Sequence, residues 1–166
     1  MKETGYLRLI DAKEADIKEI LEVMKQLHKE FPSHFFVPST VEELKHIIVD
    51  KHGFIILLKL HDQIMGGVIV IYPDETNHYL SNHVFSQCAI IDSIFVVSQF
   101  RGQRITQRLM KAALERLDKV PYIYASVAML NIPSQKLFQR HGFKIFEQKK
   151  LYNNYDRYVF LLTKDH

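Results

Sequence analysis

The chain has one cysteine in 166 residues, Cys88, which excludes an intramolecular disulfide framework and makes a reducing compartment the simplest setting. It has no Cys-x-x-Cys pair, and no two of its nine histidines stand at the i, i+4 spacing of a helical ligand pair. The common zinc signatures are therefore missing and no metal is expected. No run comes near the ~20 apolar residues of a membrane span, and the N-terminus, Met-Lys-Glu-Thr-Gly, lacks the apolar core of a secretory signal. These absences point to a soluble, cytoplasmic protein with no membrane partner. Charge of one sign is scarce as well: 22 Lys and Arg face 19 Asp and Glu, a net +3 spread along the chain, too diffuse for a nucleic-acid partner. Repeats, linkers and low-complexity stretches are absent.

What remains is 47% hydrophobic, the size of one α/β domain over residues 1–166 with a real core. Tyr6 to Ile10 alternates and reads as a strand. Ile17, Ile20, Leu21, Met24, Leu27 and Phe31 then recur at helical spacing until Pro32 and Ser33-His34 stop the helix. Ser39 or Thr40, each with a Glu three residues on, begins a second helix with Leu44, Ile47 and Ile48 inward. Three apolar runs, 54–60, 64–72 and 89–97, predict neighbouring antiparallel strands, the first two joined by a short hairpin turn. A helix follows over Ile105, Leu109, Ala112, Ala113 and Leu117, then a strand from Tyr122 to Met129 and a short helix capped by Asn131 and closed at Gly142. Strand, helix, strand predicts a parallel crossover. Residues 143–152 and 155–163 read as a last hairpin around Asn153-Asn154.

Three places carry chemistry. From Ile94 to Thr106 a buried strand runs straight into a loop and a helix start, which aims several backbone N–H groups at one spot suited to a phosphate. Arg101 and Arg104 add charge there, and Gly102 permits a tight turn. An ordinary strand-to-helix loop with two solvated arginines reads the same residues without a ligand. Asp92 is the only charge in the apolar run from Ala89 to Val97, and a carboxylate in a central strand is costly unless something solvates or uses it. It is either a general base or an aspartate held by a strand bulge or a buried arginine. Asn131, at a strand end, either caps the helix that follows or reaches a ligand between two strands.

The order of elements and two segments resemble the GNAT superfamily of acyl-CoA N-acyltransferases over nearly the whole chain. In that family the coenzyme A pyrophosphate sits on a loop of the form Arg or Gln, two residues, Gly, one residue, Gly or Ala, directly after the fourth strand. Arg101-Gly102-Gln103-Arg104-Ile105-Thr106 stands in that register, with Arg104 and Thr106 replacing both glycines. The arginine either crowds the phosphate or clamps it. The segment Asn131-Ile-Pro-Ser-Gln-Lys-Leu-Phe-Gln-Arg-His-Gly142-Phe143 is similar to the family's Asn-initiated helix that ends in an aromatic residue and Gly-Phe.

The resemblance implies an α/β fold: a mixed, mostly antiparallel sheet of about six to seven strands with four flanking helices, its fourth and fifth strands splayed. It implies acetyl-CoA as co-substrate and transfer of the acetyl group to a primary amine of a small molecule or peptide, by direct attack in a ternary complex. The cofactor would contact Ile94, Phe95, Val96, Arg101, Gly102, Gln103, Arg104, Ile105, Thr106, Asn131 and Phe138. Backbone groups at Ile94 and Val96 would pair with the pantetheine arm, and an N–H near Val96 would face the oxyanion. Asp92 would take the ammonium proton. The family's usual acid is a tyrosine where Phe138 stands, so that role falls to Ser134, Tyr152, Tyr155 or a water. The stretch Asp74 to Gln87, with His78, Tyr79, His83 and Phe85, and the first two helices would wall the acceptor pocket; its acidic pair Asp74-Glu75 is too small to mark a polycationic acceptor. The alternative is a catalytically silent domain of this fold that binds CoA or a protein partner. A homodimer through an edge strand is a further expectation.

Overall fold

The computed structural model describes residues 7–32, 35–74, 85–152 and 155–164. It opens with β1 (Leu7–Asp11), α1 (Ile17–Glu30) and α2 (Val41–Ile48). α1 buries Ile17, Ile20, Met24 and Leu27, one stripe at helical spacing. α2 starts at Thr40 rather than Ser39: the Thr40 hydroxyl accepts from the Glu43 N–H at 3.1 Å, and the Glu43 carboxylate accepts from the Thr40 N–H at 2.9 Å. That reciprocal pair satisfies two donors that a helix start otherwise leaves open.

The remaining elements are β2 (Gly53–Leu60), β3 (Gln63–Ile71), β4 (Cys88–Val96), α3 (Ile105–Arg116), β5 (Tyr122–Ala128), α4 (Ile132–Arg140), β6 (Lys144–Leu151) and β7 (Tyr155–Thr163). They form one seven-stranded sheet in the order β1-β2-β3-β4-β5-β7-β6. Every neighbouring pair is antiparallel except β4 and β5, which are parallel because α3 carries the chain back between them. This is the mixed sheet with four helices that the sequence led us to expect. The closing hairpin folds inward, so β7 rather than β6 lies against β5; its Asn153-Asn154 turn lies outside the described residues.

Helices cover both faces. Phe54, Ile56 and Leu58 of β2 join the core that includes α3 and α4, whereas Ile55 and Leu57 join the core under α1 and α2. Burial on two sides explains why β2 and β3 read as continuous apolar runs instead of alternating ones. The one charge in the β2 run, Lys59, is buried and meets Asp16 at 2.9 Å. Burial works against the Asp16 carboxylate, but the Lys13 backbone N–H and the Lys59 ammonium outweigh it and hold its pKa below the ordinary value. Among the described residues no helix is long and apolar enough to cross a membrane.

What positions the site is a divergence. β4 pairs with β5 only from Cys88–Ile91 to Tyr122–Ala125. Beyond that point β4 follows β3 as far as Val96, and β5 follows β7 as far as Ala128. The divergence begins at a bulge: Val70 pairs with Ile91 and Ile69 with Ser93, so Asp92 is the extra residue with no partner in the ladder. A bulge bends the strand and re-aims a side chain, here the only charged one on β4.

Candidate active site

Two cavities open where β4 and β5 part, and they share Phe35, Phe36, Ile94, Asn131 and Ser134. The first, about 230 Å³, holds Asp92, Glu43, Arg157 and Tyr152 against the aromatic wall of Phe35, Phe36 and Phe138. The second, about 400 Å³, runs along Ile94, Phe95 and Val96 to Arg101, Gly102, Ile105 and Thr106 at the start of α3. A molecule lying in the second groove therefore reaches the first at Asn131 and Ser134.

Asp92 keeps a partly exposed surface at the cavity but sits deep in the protein, and its pKa is pushed up to about 6. Loss of water around the carboxylate is the main cause and the Glu43 charge the next; the Arg157 guanidinium and a hydrogen bond from Ser93 pull the other way. The bulge and the buried arginine are thus both present, beside a carboxylate whose pKa is raised and that lines a cavity. Arg157 is buried, donates to the Ser126 carbonyl at 2.9 Å and lies 5.1 Å over the Tyr152 ring. Tyr152 itself takes a left-handed backbone, φ 50°. Phe138 packs edge-on to Phe143 and stacked on Phe160, and it borders the first cavity rather than the groove. Tyr155 lies on β7 and is not among the residues lining either cavity.

The groove ends at a helix start with no side-chain cap. The N–H groups of Ile105, Thr106 and Gln107 have no carbonyl within α3 to bond, so donors and the positive end of the helix dipole converge there. Gly102 has φ 83° and Arg104 has φ 58°. Arg104 thus holds the left-handed conformation that glycine takes freely, at a backbone cost of roughly 1–2 kcal/mol. Gln103 and Arg104 are exposed. The Arg101 guanidinium bonds Glu30 at 2.8 Å and lies 4.8 Å over the Phe31 ring, and Ser98 donates to the same carboxylate. The loop is thereby pinned to the end of α1. Asn131 Oδ1 accepts from the Ser134 N–H at a long 3.4 Å, so it caps α4 while bordering both cavities.

Arg157, Phe35 and Phe36 were not anticipated, nor was Glu43 singled out on α2. Arg157 stands beside Asp156 at the start of the apolar run of β7, so a search for a lone charge in a strand, the signal that singled out Asp92, does not by itself choose between the two. Phe35 and Phe36 follow Pro32 in a segment with no periodicity to read. Residues 75–84, which include His78, Tyr79 and His83 of the expected acceptor wall, lie outside the described residues; Phe85 begins a short 3-10 turn. Among the described residues, the wall of the first cavity includes 35–39 and, from the second of the two helices expected there, Glu43.

A profile of the acetyltransferase (GNAT) family matches residues 21–143. No curated protein matches by sequence. Among solved structures the chain is similar to Arabidopsis thaliana Naa50 in complex with the bisubstrate analogue CoA-Ac-MVNAL, at 19% identity and TM-score 0.74, covering 96% of this chain and 99% of that one. It is similar to a ribosomal-protein-alanine N-acetyltransferase from Brucella melitensis, at 18% identity and TM-score 0.74, covering 95% and 99%. A third, yncA from Salmonella typhimurium, described as a putative acetyltransferase with its cofactor acetyl-CoA, shares 13% identity at TM-score 0.73, covering 96% and 95%.

Proposed function

We propose that this chain, which belongs to the acetyltransferase (GNAT) family, is a soluble cytoplasmic N-acetyltransferase, one domain over residues 1–166, that acetylates a primary amine of a small molecule or peptide by direct attack. The observation that carries this reading is the pair of connected cavities: one ends at an uncapped helix start, the other holds a carboxylate whose pKa is raised toward neutrality. Acetyl-CoA supplies the acetyl thioester. The groove fits it, being apolar along Ile94 to Val96 and rich in N–H donors at Ile105 and Thr106, and the β4 edge that faces β5 has no strand partner after Ile91.

Asp92 accepts the proton of the arriving ammonium and so creates the nucleophile. A backbone N–H near Val96 faces the oxygen on which charge develops during attack. Ser134, which borders both cavities, or Tyr152, which borders the first, returns a proton to the leaving thiolate. Phe138 cannot, since it has no hydroxyl. Phe35 and Phe36 give the junction an apolar wall, which strengthens charge interactions beside it. One structural neighbour holds a CoA-peptide bisubstrate analogue, which puts peptide N-termini first among the acceptors to try.

The test is thiol release from acetyl-CoA over a panel of peptide N-termini, polyamines and free amino acids, run with wild type and Asp92→Asn. Turnover with at least one amine, lost in Asp92→Asn, supports the reading. Acetyl-CoA binding without turnover on the panel would leave a silent CoA-binding domain in its place.

A further inference from the structure

Away from both cavities, His46 and Asp50 at the end of α2, His52 just before β2 and Asp74 just after β3 come together on the surface. One ligand atom from each of His46, His52 and Asp74 lies within 4.8 Å of the others. The two imidazole rings stack at 4.0 Å between centroids with 14° between their planes. Asp50 Oδ2 lies 3.2 Å from His46 Nδ1, the carboxylate-behind-imidazole arrangement that orients a ligating histidine and leaves Nε2 as its donor.

The backbone fixes the three positions against one another. The His52 N–H donates to the His46 carbonyl at 3.3 Å, and the Tyr72 N–H donates to the His52 carbonyl at 2.8 Å, two residues before Asp74. Lys51 turns the chain between the histidines in a left-handed conformation, φ 63°, unusual for a residue with a side chain.

We infer that His46, His52 and Asp74 form a binding site for a zinc-class divalent cation. Two imidazoles and one carboxylate suit Zn²⁺ and its neighbours Co²⁺, Ni²⁺ and Cu²⁺, whereas Mg²⁺ and Ca²⁺ take oxygen ligands. Ligand bonds of about 2.0–2.2 Å put donor atoms roughly 3.3–3.5 Å apart around a tetrahedral centre. Both histidines are exposed and Asp74 is partly so, so small side-chain rotations close the remaining distance, and water fills the fourth position. The cation ties the end of β3 to α2, the helix whose Glu43 stands one turn before His46 and lines the acceptor cavity.

The experiment uses untagged full-length protein stripped with a chelator and titrated calorimetrically with ZnCl₂, beside MgCl₂. One Zn²⁺ per chain is expected, with affinity falling at least about tenfold in His52→Ala and in the near-isosteric Asp74→Asn, and less in Asp50→Asn. X-ray absorption of the zinc-loaded protein should show a shell of nitrogen and oxygen only. Metal-free thermal midpoints equal to wild type establish that the variants are folded. Absence of Zn²⁺ uptake, equal binding of Mg²⁺, or an affinity untouched by both His52→Ala and Asp74→Asn overturns the proposal. None of these readouts depends on catalysis.

Discussion

The two halves of β4 differ more from each other than β4 differs from its neighbours. From Cys88 to Ile91 the strand is paired with β5, Ile90 and Ile91 are paired with β3 as well, and every side chain is buried; these residues hold the sheet together, and only Ile91 reaches the rim of a cavity. From Asp92 to Val96 it has lost β5, carries a bulge and a charge, and borders both cavities. One residue too many at position 92 converts a structural strand into the floor of a site. The lesson is that a sheet makes a binding groove by failing to pair, and that the unsatisfied edge then belongs to a ligand.

The comparison breaks most visibly at its hinge. Asp92→Asn is expected to cut turnover about 10²- to 10⁴-fold while leaving a folded protein, because the amide keeps the shape and removes a charge that burial disfavours. Ile90→Ala, two residues away in the paired half, should do the reverse. It empties a fully buried site at about 2–5 kcal/mol, seen as a lower denaturation midpoint, with the pH dependence of turnover unchanged.

The pH dependence sharpens the same contrast. Turnover should fall roughly tenfold per unit below the Asp92 pKa of about 6 and level off above it. Stability should run the other way. A carboxyl with its pKa raised in the folded state binds its proton more tightly there than in the unfolded chain, so stability is fully present below about pH 4 and declines as pH rises from there to about 6. Chemical denaturation across that window checks it, and Asp92→Asn should flatten this component. The smallest effect is at the loop: Arg104→Gly relieves a left-handed backbone and should raise stability by up to about 1 kcal/mol. Its effect on acetyl-CoA affinity, read by calorimetry, says whether the guanidinium clamps phosphate or only stands in for glycine.

The alternation, caps and breakers of the sequence marked each element within a residue or two, because each is set by neighbours close in the chain: the Thr40–Glu43 box and the Asn131 cap are examples. The parallel step from β4 to β5 followed from the intervening helix. Nonlocal relations were out of reach. A lone charge in an apolar strand marks Lys59 and Asp92 alike, yet only the fold shows that Lys59 is closed off by Asp16 whereas Asp92 faces a cavity. The loop around Arg101 stood out in the sequence as a basic turn between strand and helix, but its tie to Glu30 and Phe31, some 70 residues earlier, did not. His46 sits on α2, His52 in the turn before β2 and Asp74 after β3, three places that local histidine spacing cannot bring together.

The most direct test of the account is calorimetric titration of acetyl-CoA into wild type and into Thr106→Trp, which fills the groove where β4 passes into α3. The account predicts one molecule bound per chain with micromolar affinity, lost in the variant. No heat of binding at about 1 mM ligand, the upper end of the usual substrate range, or binding that Thr106→Trp leaves intact, would contradict the claim that the unpaired half of β4 is the cofactor's seat.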